Sequence, residues 1–195
     1  MFKTIISAAT AYISTSLDYL LILMVIFARR KQFWPIYLGD IVGTSVLVMI
    51  SLILAFFAGF IPQTWALGFL GLIPIGLGIW GFIHEEDEPD VDSQVGKHSS
   101  IIWEVALITI STCGADNIGV YVPFFAPMDP ATIYLTLFVF FIMMTLFCWL
   151  ASRLGRLPGL ANVLDRYGAT LTSVLYILIG LYVLWDAGTI QHFLA

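Results

Sequence analysis

Long apolar runs, separated by short polar turns, constrain the fold of this chain more than any single motif. The 195 residues are 60% hydrophobic and 11% charged, whereas soluble domains are about 45–50% apolar and about a quarter charged. A helix needs about 20 mostly apolar residues to cross a bilayer. About six such runs account for nearly the whole chain, so the sequence predicts one all-α integral membrane domain over residues 1–195.

The predicted transmembrane helices cover residues 5–27, 33–60, 65–83, 100–125, 131–150 and 169–185. A hydrophilic segment at 84–99 lies between the third and fourth runs and is typical of a solvated loop. The first run follows Lys3 as a signal peptide would, but it contains Asp18 and lacks a small-residue cleavage site. We therefore interpret it as a retained span.

The basic residues predict how the chain is oriented. Apart from Lys3, they all follow the first, third and fifth predicted spans: Arg29, Arg30, Lys31, Lys97, Arg153, Arg156 and Arg166. Lysine and arginine concentrate in cytoplasmic loops of membrane proteins. The pattern predicts a multi-pass protein of the plasma (inner) membrane, with the loop at 84–99 inside and both termini outside.

Two segments resemble each other across the halves of the chain. Ser14–Tyr19 aligns with Thr112–Asn117 at an offset of 98 positions, which places Asp18 over Asp116. A second match, at an offset of 104, relates the third run to the sixth. Three spans per repeat is an odd number, so the second repeat must be inverted, as in many secondary transporters. The two predicted three-helix repeats cover residues 1–83 and 100–195.

Polar side chains inside the fourth apolar run mark the candidate site. Ser111–Gly119 contains a carboxylate, a carboxamide and a thiol. Asp18 and Asp116 each lie nine residues before the end of their predicted span, near mid-bilayer, where an acid costs about 2.5–3.5 kcal/mol and usually marks an ion path or a ligand site. The candidate metal ligands are Asp18, Cys113, Asp116, Asn117, Thr15 and Asp40.

Several features of this region allow more than one interpretation. Gly114, Gly119 and Pro123 weaken the fourth helix, which either opens to expose carbonyl oxygens or uses its glycines for close packing. Cys113 is either a soft ligand, which favours cadmium or zinc, or a buried thiol without a ligand role. Asp40 is a third site carboxylate, a proton acceptor or an interfacial acid.

Three segments carry a resemblance to a known family: Ser14–Asp18 with Leu20–Leu23, Leu67–Ile79, and Ser111–Pro123. They resemble the cadmium resistance transporters of the CadD type, within the LysE-like superfamily of six-span exporters. The resemblance implies a LysE-like fold, no enzymatic activity, and export of cadmium, or of zinc, across the plasma membrane. It also implies Asp18, Cys113, Asp116 and Asn117 as site residues.

The sequence contains no nucleotide-binding loop, so we expect the proton gradient to drive transport, with protons and metal competing for the same ligands. The expected partners are a divalent cation as transported substrate and membrane lipid, with no permanently bound cofactor and no nucleic acid. A homodimer is compatible with the sequence. The alternatives are an exporter of manganese or another hard cation, a thiol–disulfide electron carrier using Cys113 and Cys148, and an exporter of small organic solutes.

Overall fold

A computed structural model describes residues 2–30, 32–58, 67–83, 100–155, 160–189 and 192, without the side chains at 18, 29, 160–169 and 171. This part of the chain is helical apart from its short connections and contains no strand. The all-α prediction is therefore confirmed for these residues. The predicted loop at 84–99 lies outside them.

Six helices follow one another in the described residues. They are α1 Phe2–Arg29, α2 Phe33–Ala58, α3 Leu72–Ile83, α4 Ile101–Phe125, α5 Pro130–Leu154 and α6 Leu160–Asp186, and a 3-10 turn at Gly68–Gly71 leads into α3. The loop between the fifth and sixth spans is shorter than predicted, since α5 continues through Arg153 and α6 begins at Leu160. Hydropathy marks where apolar residues stop, but charged residues such as arginine are themselves good helix formers.

Three of the helices, α2, α4 and α5, are long and apolar enough to cross a bilayer. The two arms of α1, Phe2–Leu17 and Tyr19–Ala28, meet at 59° and together have the length and composition of a fourth span. The apolar helical segments at Gly68–Ile83 and Thr172–Asp186 are shorter. The chain is thus a multi-pass membrane protein, and the bend in α1 falls at position 18.

The helices pack mainly in three pairs: α2 against α4, α1 against α5, and α3 against α6. In addition, α1 packs on α4 and α6, and α3 packs on α4. If α1, α2 and α3 are exchanged with α4, α5 and α6, respectively, the same set of helix pairs is obtained. The second helix of each half therefore packs against the first helix of the other half.

Glycines allow α2 to approach α4 closely. A Cβ atom at Gly39 would lie 2.7 Å from the Val105 Cβ, and one at Gly43 would lie 2.6 Å from the Thr109 Cβ. The contact moves from Gly39 to Gly43 along α2 and from Val105 to Thr109 along α4, in the same chain direction. The two helices therefore run parallel. Small residues at such crossings let helix backbones come together in membranes.

Aromatic rings fill the parallel contact between α1 and α5. The Tyr12 ring meets the edges of Phe140 and Phe147, with 5.6 Å between ring centroids in each case. Near the ends of both helices, a Cβ atom at Gly155 would lie 2.6 Å from the Met24 carbonyl oxygen. The end of α5 therefore lies beside the end of α1.

Candidate metal and cation site

Polar side chains are buried where α1, α2 and α4 meet. They include Ser14, Thr15, Ser16, Asp40, Thr44, Thr109 and Asn117. Buried polar groups are costly unless they find hydrogen-bond partners. Ser14 and Thr44 find partners on their own helices, whereas Thr15 and Thr109 also have partners about a hundred positions away in the sequence.

Two hydrogen bonds between tyrosine and threonine side chains join α1 to α4. The hydroxyl oxygens of Thr15 and Tyr121 lie 2.7 Å apart, and those of Tyr19 and Thr109 lie 2.6 Å apart. Along each helix, the acid positions 18 and 116 fall between these two contacts. The helix crossing is therefore held at both sides of the predicted site.

Sequence reasoning missed Tyr19, Tyr121 and Thr109. A signal for the tyrosines was present, because both lie inside apolar runs rather than at the span ends, where membrane proteins concentrate tyrosine. A buried tyrosine hydroxyl usually has a hydrogen-bond partner. The identity of that partner depends on which helices cross, which the sequence did not indicate.

The predicted ligands on α4 share one face of the helix, because positions 113, 116 and 117 are three and four residues apart. Cys113 and Asn117 are buried and Asp116 is half-buried. The Thr112 hydroxyl lies 3.5 Å from the Cys113 sulfur. Asn117 Oδ1 is buried without a hydrogen-bond partner, so an acceptor oxygen at this face is available to a ligand.

Asp40 lies deep in the interior, with 1% of its surface exposed. The Thr44 hydroxyl donates to Asp40 Oδ1 at 3.2 Å, whereas Oδ2 is buried without a partner. The interpretation of Asp40 as an interfacial acid is therefore wrong. Its position on α2 suggested the end of a span, but the close approach of α2 to α4 covers it.

No three side chains of His, Cys, Asp or Glu come together as a metal site among the described residues. This finding does not include the Asp18 side chain, which lies outside the described part of the chain. The presence of Asp18 at the site stays a prediction. Position 18 lies on α1 next to Tyr19, whose hydroxyl reaches α4.

The sequence profile of the cadmium resistance transporters matches residues 12–195. The chain belongs to the cadmium resistance transporter family. No curated protein and no solved structure matches the chain significantly. The family match confirms the resemblance inferred from the three segments, and it covers both acid positions. It makes the protein a member of a transporter family, not of an enzyme family.

In this cadmium resistance transporter, α4 is continuous from Ile101 to Phe125. The predicted opening of the helix near Gly114 and Pro123 is therefore not observed. Gly119 instead serves packing, because a Cβ atom there would lie 2.7 Å from Leu77 Cδ1 of α3. Pro123 has no N–H to donate to the Gly119 carbonyl oxygen, but the helix continues past it to Phe125.

The Thr15 hydroxyl is already engaged. It contacts the backbone carbonyl oxygens of Ala11 and Tyr12 at 3.3 and 3.2 Å, in addition to Tyr121. A metal ion at Thr15 would have to displace one of these contacts. Thr15 is thus better placed to hold Tyr121 than to act as a primary ligand.

Both cysteines are buried as reduced thiols. Cys148 is fully enclosed on α5, and Cys113 lies on α4. The complete burial of Cys148 agrees with a packing role for this thiol. No disulfide links the two thiols in this structure.

Glu104 lies in the first turn of α4, where an acid could reach the membrane interface. It is instead buried, with 2% of its side chain exposed, and it pairs with Arg30 at 3.3 Å. Arg30 directly follows α1, so this ion pair connects the end of α1 to the start of α4. Burial of Glu104 follows from the presence of a cationic partner, since buried charges are tolerated mainly in pairs.

Proposed function

We propose that this protein exports Cd²⁺, with Zn²⁺ as a second substrate, across the plasma membrane in exchange for protons by alternating access. The observation that carries the proposal is the buried polar crossing of α1 and α4 in a member of the cadmium resistance transporter family. The two Tyr–Thr hydrogen bonds hold this crossing on either side of the acid positions. In alternating access, a transport site opens to one side of the membrane at a time. A change in how α1 and α4 cross would change the side from which the acid positions can be reached.

The proposed architecture has six spans in two inverted three-helix repeats, with both termini outside. The exchange of helix contacts between the two halves supports this arrangement. The position of the basic residues supports the orientation. Arg30 pairs with Glu104 at the start of α4, and Gly155, two residues after Arg153, lies against Met24, so basic residues gather at one end of the bundle.

Asp18, Asp116, Asn117 and Cys113 are the proposed ligands of the transported ion. Two carboxylates neutralise one divalent cation, which lowers the cost of burying its charge. Asn117 contributes the unpartnered Oδ1. Sulfur favours Cd²⁺ and Zn²⁺ over Mg²⁺ or Ca²⁺, which prefer oxygen ligands.

Release of the ion follows from competition with protons. Carboxylate and thiolate ligands must be deprotonated to bind metal, so a proton that arrives at Asp18 or Asp116 weakens metal binding. Protonation from the outer side would then release the metal outward. The proton gradient across a plasma membrane drives protons inward, and inward proton movement is what this cycle requires for each metal ion exported.

Uptake of Cd²⁺ into inverted membrane vesicles with an imposed pH gradient tests the proposal. We expect Asp116→Asn to abolish uptake, because one of the two neutralising charges is lost. Ser111→Ala is the matched control, since the Ser111 hydroxyl donates only to the Ile108 carbonyl oxygen of its own helix. An uptake rate that is the same in Asp116→Asn and wild type would remove the core of the proposal.

A further inference from the structure

Polar contacts join α1 to α4 at three levels of their crossing. They are the bond between Thr15 and Tyr121, the bond between Tyr19 and Thr109, and the ion pair between Arg30 and Glu104. The first two are neutral and lie within the helices. The ion pair lies where α1 ends and α4 begins, so it is the level nearest to one end of the bundle.

The ion pair has the properties of a contact that can break and re-form. Glu104 is buried, with 2% of its side chain exposed, whereas 33% of Arg30 is exposed. Arg30 Nη2 lies 3.3 and 3.5 Å from the two carboxylate oxygens of Glu104, farther than the about 2.7–2.9 Å of a tight charge-assisted hydrogen bond. Water already reaches Arg30 and would reach Glu104 once the helices separate. Opening therefore does not leave a buried charge unpaired, which would be the costly outcome.

The equivalent positions at the opposite end of the crossing carry no charge. At the offset of 98 positions between the repeats, Arg30 corresponds to Met128. Glu104 corresponds to Ile6. The Met128 sulfur accepts from the Thr136 hydroxyl of α5, and half of Ile6 is exposed. The two ends of the crossing thus differ, and the charged contact belongs to one of them.

Neutral contacts at the same end join other pairs of helices. The Phe27 ring of α1 stacks on the Phe33 ring of α2, with 5.8 Å between centroids. The hydroxyl oxygens of Tyr37 of α2 and Thr145 of α5 lie 2.8 Å apart. These contacts do not hold α1 against α4. A movement of the end of α1 away from α4 would instead have to break the ion pair.

We propose that the ion pair between Arg30 and Glu104 is a latch that closes the cytoplasmic end of the α1–α4 crossing. With the latch closed, the acid positions are cut off from the cytoplasm. When Arg30 leaves Glu104, the end of α1 can move away from the start of α4, and a divalent cation can enter. The inference rests on the proposed transport function and orientation, because it places the latch on the side from which metal is loaded.

Cys113 can report whether the latch is open. It is buried and lies nine residues after Glu104 on α4, which is about 14 Å along a helix that rises about 1.5 Å per residue. A Cys148→Ala background leaves it as the single thiol. The full chain is treated, without metal, with a membrane-impermeant cationic methanethiosulfonate reagent. Inverted vesicles expose the cytoplasmic face to the reagent, and right-side-out vesicles expose the outer face.

We expect Arg30→Gln to raise the rate of Cys113 modification from the cytoplasmic face by about 5–30-fold, the population change that loss of one partly buried ion pair produces. The rate from the outer face should not rise. Arg153→Gln is the matched control for a lost positive charge. Arg153 lies at the same end of the bundle, but it packs over the Trp149 ring of its own helix at 5.6 Å from the centroid.

A second variant covers the case that Arg30→Gln fails to fold because Glu104 loses its partner. The double variant Arg30→Gln/Glu104→Gln removes both charges and therefore leaves no buried charge unpaired. It should show the same increase from the cytoplasmic face.

Cd²⁺ uptake into inverted vesicles provides a readout that a merely structural role would not move. A larger fraction of protein open to the cytoplasm should lower the KM for Cd²⁺, since apparent affinity rises with the fraction of binding-competent protein. General damage to the fold would lower the maximal rate instead. Faster modification of Cys113 without a fall in KM would overturn the role of the latch in metal loading.

Equal modification rates in Arg30→Gln and Arg153→Gln would overturn the proposal. An increase from the outer face, or from both faces, would also overturn it, because the latch would then not be a cytoplasmic gate. If wild type does not transport Cd²⁺, the proposed function fails. The latch is then judged by the modification rates alone, since that assay contains no metal.

Discussion

The Thr15 hydroxyl of α1 lies 2.7 Å from the Tyr121 hydroxyl of α4, and both side chains are buried. Thr15 also donates toward backbone carbonyl oxygens of its own helix, so Tyr121 is the donor in the contact between the helices. The bond therefore uses the proton of the Tyr121 hydroxyl, and it links two residues that lie 106 positions apart in the sequence. It lies on the side of the acid positions opposite to the bond between Tyr19 and Thr109.

Tyr121→Phe should loosen the crossing of α1 and α4 without changing the volume of the side chain. We expect a loss of about 0.5–1.5 kcal/mol in the free energy of unfolding, as for a neutral hydrogen bond. Alkylation of Cys113 should become faster, measured in a Cys148→Ala background that leaves a single thiol. Tyr37→Phe should leave the alkylation rate unchanged, and an equal increase there would argue against a specific role for Tyr121.

The ion pair between Arg30 and Glu104 should stabilise the packing of α1 on α4. Removing one partner of a fully buried pair costs about 3–5 kcal/mol. Arg30 keeps 33% of its side chain exposed, so we expect a coupling energy of about 1–2 kcal/mol after solvent screening. A double-mutant cycle with Glu104→Gln and Arg30→Gln measures it by unfolding in detergent. A coupling energy near zero would show that the pair does not contribute.

Gly43→Ala should separate α2 from α4, because the new Cβ would lie 2.6 Å from the Thr109 Cβ. The displacement reaches the Tyr19–Thr109 contact, so we expect lower thermal stability and weaker metal transport together. Gly76→Ala is the matched control, since a Cβ atom there has no neighbour within 4 Å. Because alanine favours a helix more than glycine does, Gly76→Ala should be neutral or slightly stabilising. An equal loss in the two variants would mean that close packing at Gly43 does not explain it.

Cys113→Ser should separate a soft-metal site from a hard-metal one. Serine replaces the polarisable sulfur with oxygen and keeps the small side chain, so Cd²⁺ binding should fall while Mn²⁺ binding is unaffected or improves. Metal binding to the purified protein across Cd²⁺, Zn²⁺, Mn²⁺ and Mg²⁺ checks this. A wild-type preference for Mn²⁺ that Cys113→Ser does not alter would favour the alternative of a manganese exporter.

Asp129 caps α5 and should give the connection from α4 to α5 a pH-dependent stability. The Thr132 hydroxyl and the backbone N–H groups of Thr132 and Ala131 donate to its carboxylate, and the pKa of Asp129 is lowered as a result, mainly by the Thr132 hydroxyl. A lowered pKa in the folded state stabilises the protein above the ordinary carboxyl range, and this stabilisation is lost as the pH falls through the lowered pKa.

Thermal unfolding at several pH values, compared between wild type and Asp129→Asn, checks the sign. Asparagine can still cap the helix but does not titrate. Wild type should be the more stable protein at neutral pH, and the difference should disappear in acid. A difference that persists in acid would mean that charge at Asp129 does not cause it.

Hydropathy was sufficient to predict the six helices, because long apolar runs favour helices, and three of the six are long and apolar enough to cross a bilayer. It was less informative about helix ends. Arg153 continues α5 and Leu160 begins α6, since helix formation does not stop where the apolar residues stop. The polar residues of Ser111–Gly119 were found as a candidate site because they interrupt an apolar run.

By itself, the sequence determined that this protein is a helical membrane protein with an acid in each half, because these properties depend on composition and local order. Only the tertiary structure decided that Asp40 is buried, that Glu104 pairs with Arg30, and that Tyr19 and Tyr121 bridge α1 and α4. These facts depend on the rotation of each helix about its axis. In α2 and α4 apolar residues lie on all sides, so no apolar stripe reveals which face points inward.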